Sequence, residues 1–253
     1  MYNNDGIKII ILAAGKGKRM QSDEPKALAI LKGKSFLRHI LDNIKTLDLK
    51  IKPIIVVGCK KERIKEVFGN EYTYAEQNEQ LGTGHALASA RSAIVSPHKM
   101  VLVLSADQPL VSKETLERLI ATHIEKKSTI TIGTVVVPDY EDWRAGLYSN
   151  FGRIVRQADG KVKKMVEFKN TTEEEKKIKE VNPALYVFEA KWLWDNINKI
   201  EMDPTRNEYK LTDLIQIAFS QNKKIEAMPI TNIIEALQPN SKEELELLEK
   251  LVV

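Results

Sequence analysis

Cysteine is nearly absent. The chain of 253 residues carries one, Cys59, which excludes an internal disulfide and a thiolate-built metal site. Aromatic residues make up only 6% of the chain, too few for a base-stacking platform that grips single-stranded nucleic acid. With 12 glycines and nine prolines, collagen-like and linker-dominated chains are excluded. No charge of one sign dominates, since 39 Lys and Arg against 35 Asp and Glu leave a net +4. Basic pairs such as Lys60-Lys61, Lys163-Lys164, Lys176-Lys177 and Lys223-Lys224 stand near carboxylates and read as solvated surface. No apolar run approaches the ~18 residues needed to span a bilayer, and the N-terminus lacks a basic-then-apolar signal pattern. What remains, 43% hydrophobic, reads as a globular chain, expected to be soluble and cytoplasmic with no nucleic-acid or membrane partner.

The first element is a strand. Ile7 to Leu12 is β-branched and almost continuously apolar, the pattern of a strand buried on both faces of a parallel sheet. Pro53–Val57, Met100–Leu104 and Ile130–Val137 repeat it. Between them Ser35–Leu47, Thr83–Ile94 and Lys113–Ile124 carry helical spacing. This alternation predicts an α/β fold of βαβ units forming an open sheet. Phe151–Phe168 reads as a hairpin turning at Ala158-Asp159-Gly160, and Glu173–Glu180 as a charged helix capped by Thr171 or Thr172. A strand over Val181–Phe188 and a helix over Lys191–Ile200 follow. The chain closes with a helix at Glu208–Ser220, a strand at Ile225–Ile230 and a helix at Ser241–Leu251. One domain over residues 1–253 is expected, with 138–210 as a substrate-facing lobe.

Three motifs carry chemistry. Leu12-Ala13-Ala14-Gly15-Lys16-Gly17-Lys18-Arg19-Met20 leaves the first strand, and its small residues let successive N–H groups form an anion-binding nest. Arg19 and, after Pro25, Lys26 add two cations. A triphosphate carries roughly four negative charges, and one ion pair at ~4 Å near a surface is worth about 4 kcal/mol before desolvation. The loop lacks the Lys-Ser/Thr of a P-loop, and it has Met20 where the dinucleotide fingerprint needs glycine. The second motif, Gln80-Leu81-Gly82-Thr83-Gly84-His85-Ala86, allows close backbone approach at a helix entrance. The Gln80 amide offers the donor and acceptor that a pyrimidine edge asks for; a helix start capped by Thr83 is the plainer alternative. His85, without a second histidine nearby, reads as structural. The third is Asp107, at the carboxyl end of a strand where ligands of open α/β sheets bind. A carboxylate there suits Mg²⁺ or simply a turn before Pro109.

Together these motifs resemble the sugar-1-phosphate nucleotidylyltransferases, most of all the uridylyltransferase half of bacterial UDP-N-acetylglucosamine pyrophosphorylase, and the resemblance implies an α/β fold with a Rossmann-like mixed, mostly parallel sheet and helices on both faces. The resemblance spans about residues 7 to 250 and includes Ala75-Glu76-Gln77, Asn150-Phe151-Gly152-Arg153-Ile154, Val166-Glu167-Phe168-Lys169, Val181-Asn182, Glu208-Tyr209-Lys210-Leu211-Thr212-Asp213 and Asn240-Ser241-Lys242-Glu243-Glu244-Leu245.

The resemblance implies that Leu12, Ala13, Ala14, Gly15, Gln80, Gly82 and Thr83 hold UTP, and that Arg19 and Lys26 meet its phosphates as catalytic residues. It implies Asp107 and Asn240 as ligands of a catalytic Mg²⁺, and Asn150, Glu167 and Asn182 as contacts of an N-acetylhexosamine 1-phosphate. Ser241 with Glu244 also reads as a capping box placing Asn240 at a helix entrance. Departures cluster near the acceptor. Asn150 replaces a glycine of the sugar loop, Pro183-Ala184 replaces Thr-Gly, and Ser105-Ala106 replaces Tyr-Gly. Asp107-Gln108-Pro109-Leu110 is instead similar to cytidylyltransferases that load molybdopterin. A cytidylyltransferase with another acceptor and a silent nucleotide-sugar sensor therefore stay open, as does a homo-oligomeric assembly. No hexapeptide repeats follow residue 250, so the acetyltransferase domain of bifunctional members is expected to be missing.

Overall fold

The computed structural model describes residues 6–15, 23–47, 49 and 51–252. The first third runs through β1 (Ile7–Ala13), a small ribbon of β2 (Ile30–Leu31) and β3 (Lys34–Ser35), α1 (Phe36–Lys45), β4 (Ile54–Val57), α2 (Lys61–Phe68), β5 (Thr73–Glu76) and α3 (Thr83–Ser89). The middle adds β6 (Met100–Ser105), α4 (Lys113–Lys126), β7 (Ile130–Val136), α5 (Ala145–Asn150), β8 (Gly152–Arg156), β9 (Val162–Val166) and α6 (Glu173–Lys176). The last third holds β10 (Glu180–Glu189), α7 (Ala190–Asn196), β11 (Met202–Asp203), β12 (Glu208–Tyr209), α8 (Asp213–Ser220), β13 (Ile225–Pro229) and α9 (Lys242–Leu251).

Among the described residues, nine strands join one sheet, with a main path β13-β7-β10-β6-β1-β4-β5 and β8 and β9 attached beside β10. β6, β1, β4 and β5 run parallel, as do β13 and β7. β10 is antiparallel to both β7 and β6 and makes the sheet mixed. Strand alternation sorts the core. Ile9 and Ile11 of β1 pack with Leu37, Ile40 and Leu41 of α1, Ile64 of α2 and Leu119 of α4. Ile10 faces the other way, with Leu87 of α3, Leu193 of α7 and Leu214 of α8. A period of 2 in the strand thus gives each sheet face its own helix layer.

The hairpin expected over residues 151–168 forms, turning at Gly160 with φ +83°. Two expectations need correction. The helix expected at Glu208–Ser220 begins only at Asp213. Glu208 and Tyr209 pair with β11 instead, and the Tyr209 N–H donates to the Leu81 carbonyl at 2.7 Å. That donor is spent across the chain and is not free for a helix. The helix expected at Glu173–Glu180 stops at Lys176, because Glu180 already belongs to β10; its cap is Thr172, in a reciprocal box with Glu175. Around Asn182–Ala184 the register of β10 against β7 shifts between Val181 and Leu185. Pro183 has no N–H to give a ladder, and Ala184 sits at φ +64°. The β2–β3 ribbon, α2 and β5 have no counterpart in the sequence reading, being short or polar along one face.

No helix among the described residues is long and apolar enough to cross a membrane. One core group is titratable in a useful range. His123 on α4 is buried and shares a hydrogen bond of 3.0 Å with Thr131 Oγ1, and burial lowers its imidazole from 6.5 to about 4. The folded state then binds that proton more weakly than the unfolded chain. Its contribution to stability is complete above about 6.5 and is lost as pH falls towards about 4. In urea titrations between those values, His123→Leu is expected to lose stability less steeply on acidification than wild type. Parallel curves would show that His123 carries none of the slope.

Candidate active site

β6, β1, β4 and β5 end side by side, and the loops leaving the carboxyl ends of β1, β5 and β6 build a cleft of about 510 Å³. Leu12, Ala13, Ala14 and Gly15 form one wall; Gln80, Gly82 and Thr83 at the start of α3 form another. Asp107, past the end of β6, lies on the floor with Lys26, and Glu208 closes the rim. Nine of the residues expected at a nucleotide site therefore share one cleft: Leu12, Ala13, Ala14, Gly15, Lys26, Gln80, Gly82, Thr83 and Asp107. Arg19 lies outside the described residues.

The floor carries the strongest polar feature. Lys26 opens a single helical turn behind Pro25, and buried Ala27 and Leu28 fix that turn in the core. Its ammonium donates to Asp107 Oδ2 at 2.6 Å and to Asn240 Oδ1 at 2.8 Å. The Lys26 side chain is 12% exposed and that of Asp107 26%, so the pair is only partly screened by water. Asp107 Oδ1 is buried with no hydrogen-bond partner among the described residues. Asn240 is held on its other side, with Nδ2 donating to the Gln238 carbonyl at 2.7 Å and its own N–H to Glu244 Oε2 at 2.6 Å. Ser241 caps α9 as expected, through the Glu244 N–H, but the returning Glu244 bond goes to Asn240. The capping arrangement therefore fixes Asn240 itself.

The second wall is set by backbone contacts. Gly82 has φ +97° and ψ 178°, and a Cβ there would sit 2.6 Å from the Tyr209 carbonyl oxygen. Thr83 is no helix cap, since its hydroxyl accepts from the Leu211 N–H at 3.0 Å and clips the 208–211 segment to α3. Gln77, 3% exposed, donates to the Gly82 carbonyl at 3.0 Å and meets His85 Nδ1 at 3.1 Å. This contact accounts for His85 as a structural group. Gly58 is a residue that sequence reasoning missed: a Cβ there would lie 2.9 Å from the Ala14 carbonyl oxygen and 3.0 Å from Gln80 Nε2. A small residue directly after a buried strand was the only signal. Gln77 and Glu208 stood in quoted motifs but without roles.

The three residues expected at the acceptor are placed differently. Asn150 ends α5, is exposed, and lines a neighbouring cavity of about 360 Å³ that also includes Asn240. Glu167 is half-buried at the entrance to the turn Phe168–Asn170. Asn182 is buried and its amide is engaged within the protein: Nδ2 donates to the Tyr186 hydroxyl at 2.7 Å, and Oδ1 accepts from the Ala184 N–H at 3.0 Å. Beyond them Asp203 accepts from both Lys210 and Lys169, and Lys210 leads the groups that hold its carboxyl below the usual range. Burial raises the carboxyl of Asp213, opposed by Lys210 and reinforced by Glu167.

A cleft at the carboxyl ends of parallel strands, with Gly15 in one wall, the Gln80 amide in another and Lys26, Asp107 and Asn240 joined at its floor, accords with a nucleotidyltransferase, the class that the comparisons define. The family described as the MobA-like NTP transferase domain matches residues 9–207, and the chain belongs to that family. It is 40% identical over 244 residues to the bifunctional protein GlmU of Clostridium beijerinckii, covering 96% of this chain and 51% of that protein. It is 36% identical over 233 residues to GlmU of Streptococcus pyogenes serotype M3, covering 92% of this chain and 49% of that one. The chain thus spans about half the length of these relatives. Its fold is similar to that of a UDP-glucose pyrophosphorylase solved with UDP-glucose, at TM-score 0.77 and 18% identity over 97% of this chain and 98% of the other. It is also similar to 4-diphosphocytidyl-2C-methyl-D-erythritol synthase from Anaerococcus prevotii, at TM-score 0.65 and 14% identity over 99% of each chain.

Proposed function

We propose that the protein transfers a uridylyl group from UTP to a sugar 1-phosphate, N-acetylglucosamine 1-phosphate in the first instance, giving the UDP-sugar and pyrophosphate. The observation that carries this reading is the cation point at the carboxyl end of β6, where Asp107 and Asn240 converge on the Lys26 ammonium. The likeness to GlmU over 92–96% of this chain supports the substrate assignment. The 13–15 backbone and Arg19 would face the triphosphate, Gln80 the uracil edge, and Gly82 and Thr83 the nucleoside. Residues 138–210 of the same domain would face the acceptor through Asn150 and Glu167, with Asn182 shaping the strand behind them.

The donor set fits Mg²⁺. An ammonium already occupies the point between a carboxylate oxygen and an amide oxygen, and a second Asp107 oxygen is buried without a partner among the described residues. Mg²⁺ is usually held by one or two carboxylates plus substrate phosphates, and Asp107 with Asn240 would hold it here. When bound, the ion neutralises phosphate charge as a Lewis acid.

The residues' own work is positioning and charge stabilisation. An acceptor phosphate oxygen attacks the α-phosphorus, the new P–O bond forms in line with the one that breaks, and pyrophosphate departs with the electron pair. A phosphate is already ionised at neutral pH, so no general base is required. Lys26 and the loop N–H groups stabilise charge on the transferring and leaving phosphates, and the partly buried setting strengthens both. The cytoplasmic location expected from the sequence accords with this reading.

Pyrophosphate release, measured with Mg²⁺ across the common nucleoside triphosphates and a panel of sugar 1-phosphates, tests it. UTP with N-acetylglucosamine 1-phosphate is expected to be the best pair. Release with CTP alone would turn the reading to a cytidylyltransferase. Silence, with UDP-sugar binding retained, would turn it to a sensor.

A further inference from the structure

Arg153 has no part in the mechanism above, yet among the described residues it is the largest side chain that is fully buried, at 0% exposure. Its guanidinium meets no carboxylate among the described residues. Nη1 donates to the Phe151 carbonyl at 2.7 Å, Nη2 to the Tyr148 carbonyl at 2.6 Å and Nε to the Lys176 carbonyl at 3.4 Å. Three rings surround it: Tyr140, Tyr148 and Phe168, with centroids 5.1, 5.2 and 5.1 Å from its central carbon. Those rings also touch one another edge-on, Tyr148 lying 4.9 Å from Tyr140 and 5.0 Å from Phe168.

Burying a guanidinium without a counter-ion costs several kcal/mol, and apolar residues of similar volume often stabilise such a place as well or better. Stability therefore gives no reason for a charge here. Geometry does. The planar fork bonds several carbonyls at once in fixed directions, and those carbonyls lie on two segments, Tyr148 and Phe151 at the end of α5 and Lys176 at the end of α6. Tyr148 and Phe151 bracket Asn150 at the end of α5. Phe168 directly follows Glu167. The Arg153 backbone pairs with Val166, one residue before Glu167, and with Val181, one residue before Asn182.

We infer that Arg153 is a positioning residue for the acceptor. Its fork and aromatic cage set the Asn150 segment against Glu167 and so fix the width of the acceptor side, without touching substrate. This rests on the reading of Asn150 and Glu167 as acceptor contacts. The nucleotide wall, built from β1, the 80–83 segment and Glu208, has no member bonded to Arg153.

Steady-state kinetics with each substrate varied in turn tests it, on wild type, Arg153→Met and Arg153→Lys. Both variants are expected to raise the KM for the sugar 1-phosphate by about tenfold while the KM for UTP stays within about twofold. Lysine keeps the charge but has no fork, so it is expected not to rescue. A fall in kcat matching the folded fraction, with both KM values unchanged, would overturn the inference. So would full rescue by lysine. Should either variant fail to fold, Phe168→Leu keeps the carbonyl bonds and removes one ring; it is expected to raise the same KM by about threefold, and an unchanged value would overturn the inference. A wild-type protein inert with every sugar 1-phosphate would instead defeat the reading on which it rests, before any variant is compared.

Discussion

Asp107→Asn is expected to lower kcat by about a thousandfold while leaving the fold intact. Electrostatic groups aimed at developing charge are typically worth about 10²–10³ each, and this one acts twice. Its carboxylate orients Lys26 through the 2.6 Å ion pair, and it is the only charged member of the proposed cation pair. Asparagine preserves size and can still accept from the ammonium, so what is lost is charge. The residue lies in a loop past β6, a quarter exposed, outside both main core clusters, so the melting temperature is expected to move by only a few degrees. Turnover within about tenfold of wild type, in protein of unchanged melting temperature, would remove Asp107 from the chemistry.

Gly82→Ala is expected to raise the KM for UTP by about a hundredfold, with a smaller change in kcat. Two costs add. At φ +97° and ψ 178° the backbone is in a region open essentially to glycine, and strain there is of order 1–3 kcal/mol. The new Cβ would also meet the Tyr209 carbonyl oxygen at 2.6 Å and Tyr209 N at 3.0 Å. Relief requires moving β12 away from α3, which strains the 2.7 Å bond from Tyr209 N–H to the Leu81 carbonyl and carries Glu208 off the rim. At about 1.4 kcal/mol per tenfold, a hundredfold effect absorbs roughly 2.7 kcal/mol. Gly15→Ala is the contrast, because a Cβ at that position would have no heavy atom within 4 Å. A UTP KM for Gly82→Ala no worse than that for Gly15→Ala would show that the close approach at Tyr209 does not shape the nucleotide wall.

The cleft was legible because its parts are local. Leu12–Gly15, Gln80–Thr83 and Asp107 each follow a strand or open a helix that hydrophobic periodicity marks, and loops at the carboxyl ends of parallel strands converge. Lys26 and Asn240 are 214 residues apart; the family resemblance implied Asn240 beside Asp107 and Lys26 at the phosphates, but not the bond between Lys26 and Asn240. The acceptor side was less legible. Asn182 has the amide that a sugar contact needs, yet its two polar ends are spent on Tyr186 and Ala184, because a bulged strand after Pro183 must satisfy its own backbone. Glu208 was expected to open a helix; bonds from Tyr209 to Leu81 and from Leu211 to Thr83 hold the segment against α3 instead, with Glu208 and Tyr209 in extended backbone.

The sequence by itself determined the alternating α/β order, a helix layer on each face of the sheet, and the strand-end loops that line the cleft. These follow from patterns of 2 and 3.6 residues that neighbours in the chain can express alone. Only the tertiary structure decided that Lys26 stands between Asp107 and Asn240, that Gly58 and Gly82 mark close approaches, and that Arg153 gathers distant segments into one cage. Each of those depends on which distant backbone atom arrives within about 3 Å, and hydrogen-bond directions and close packing fix such meetings only once the whole core is assembled.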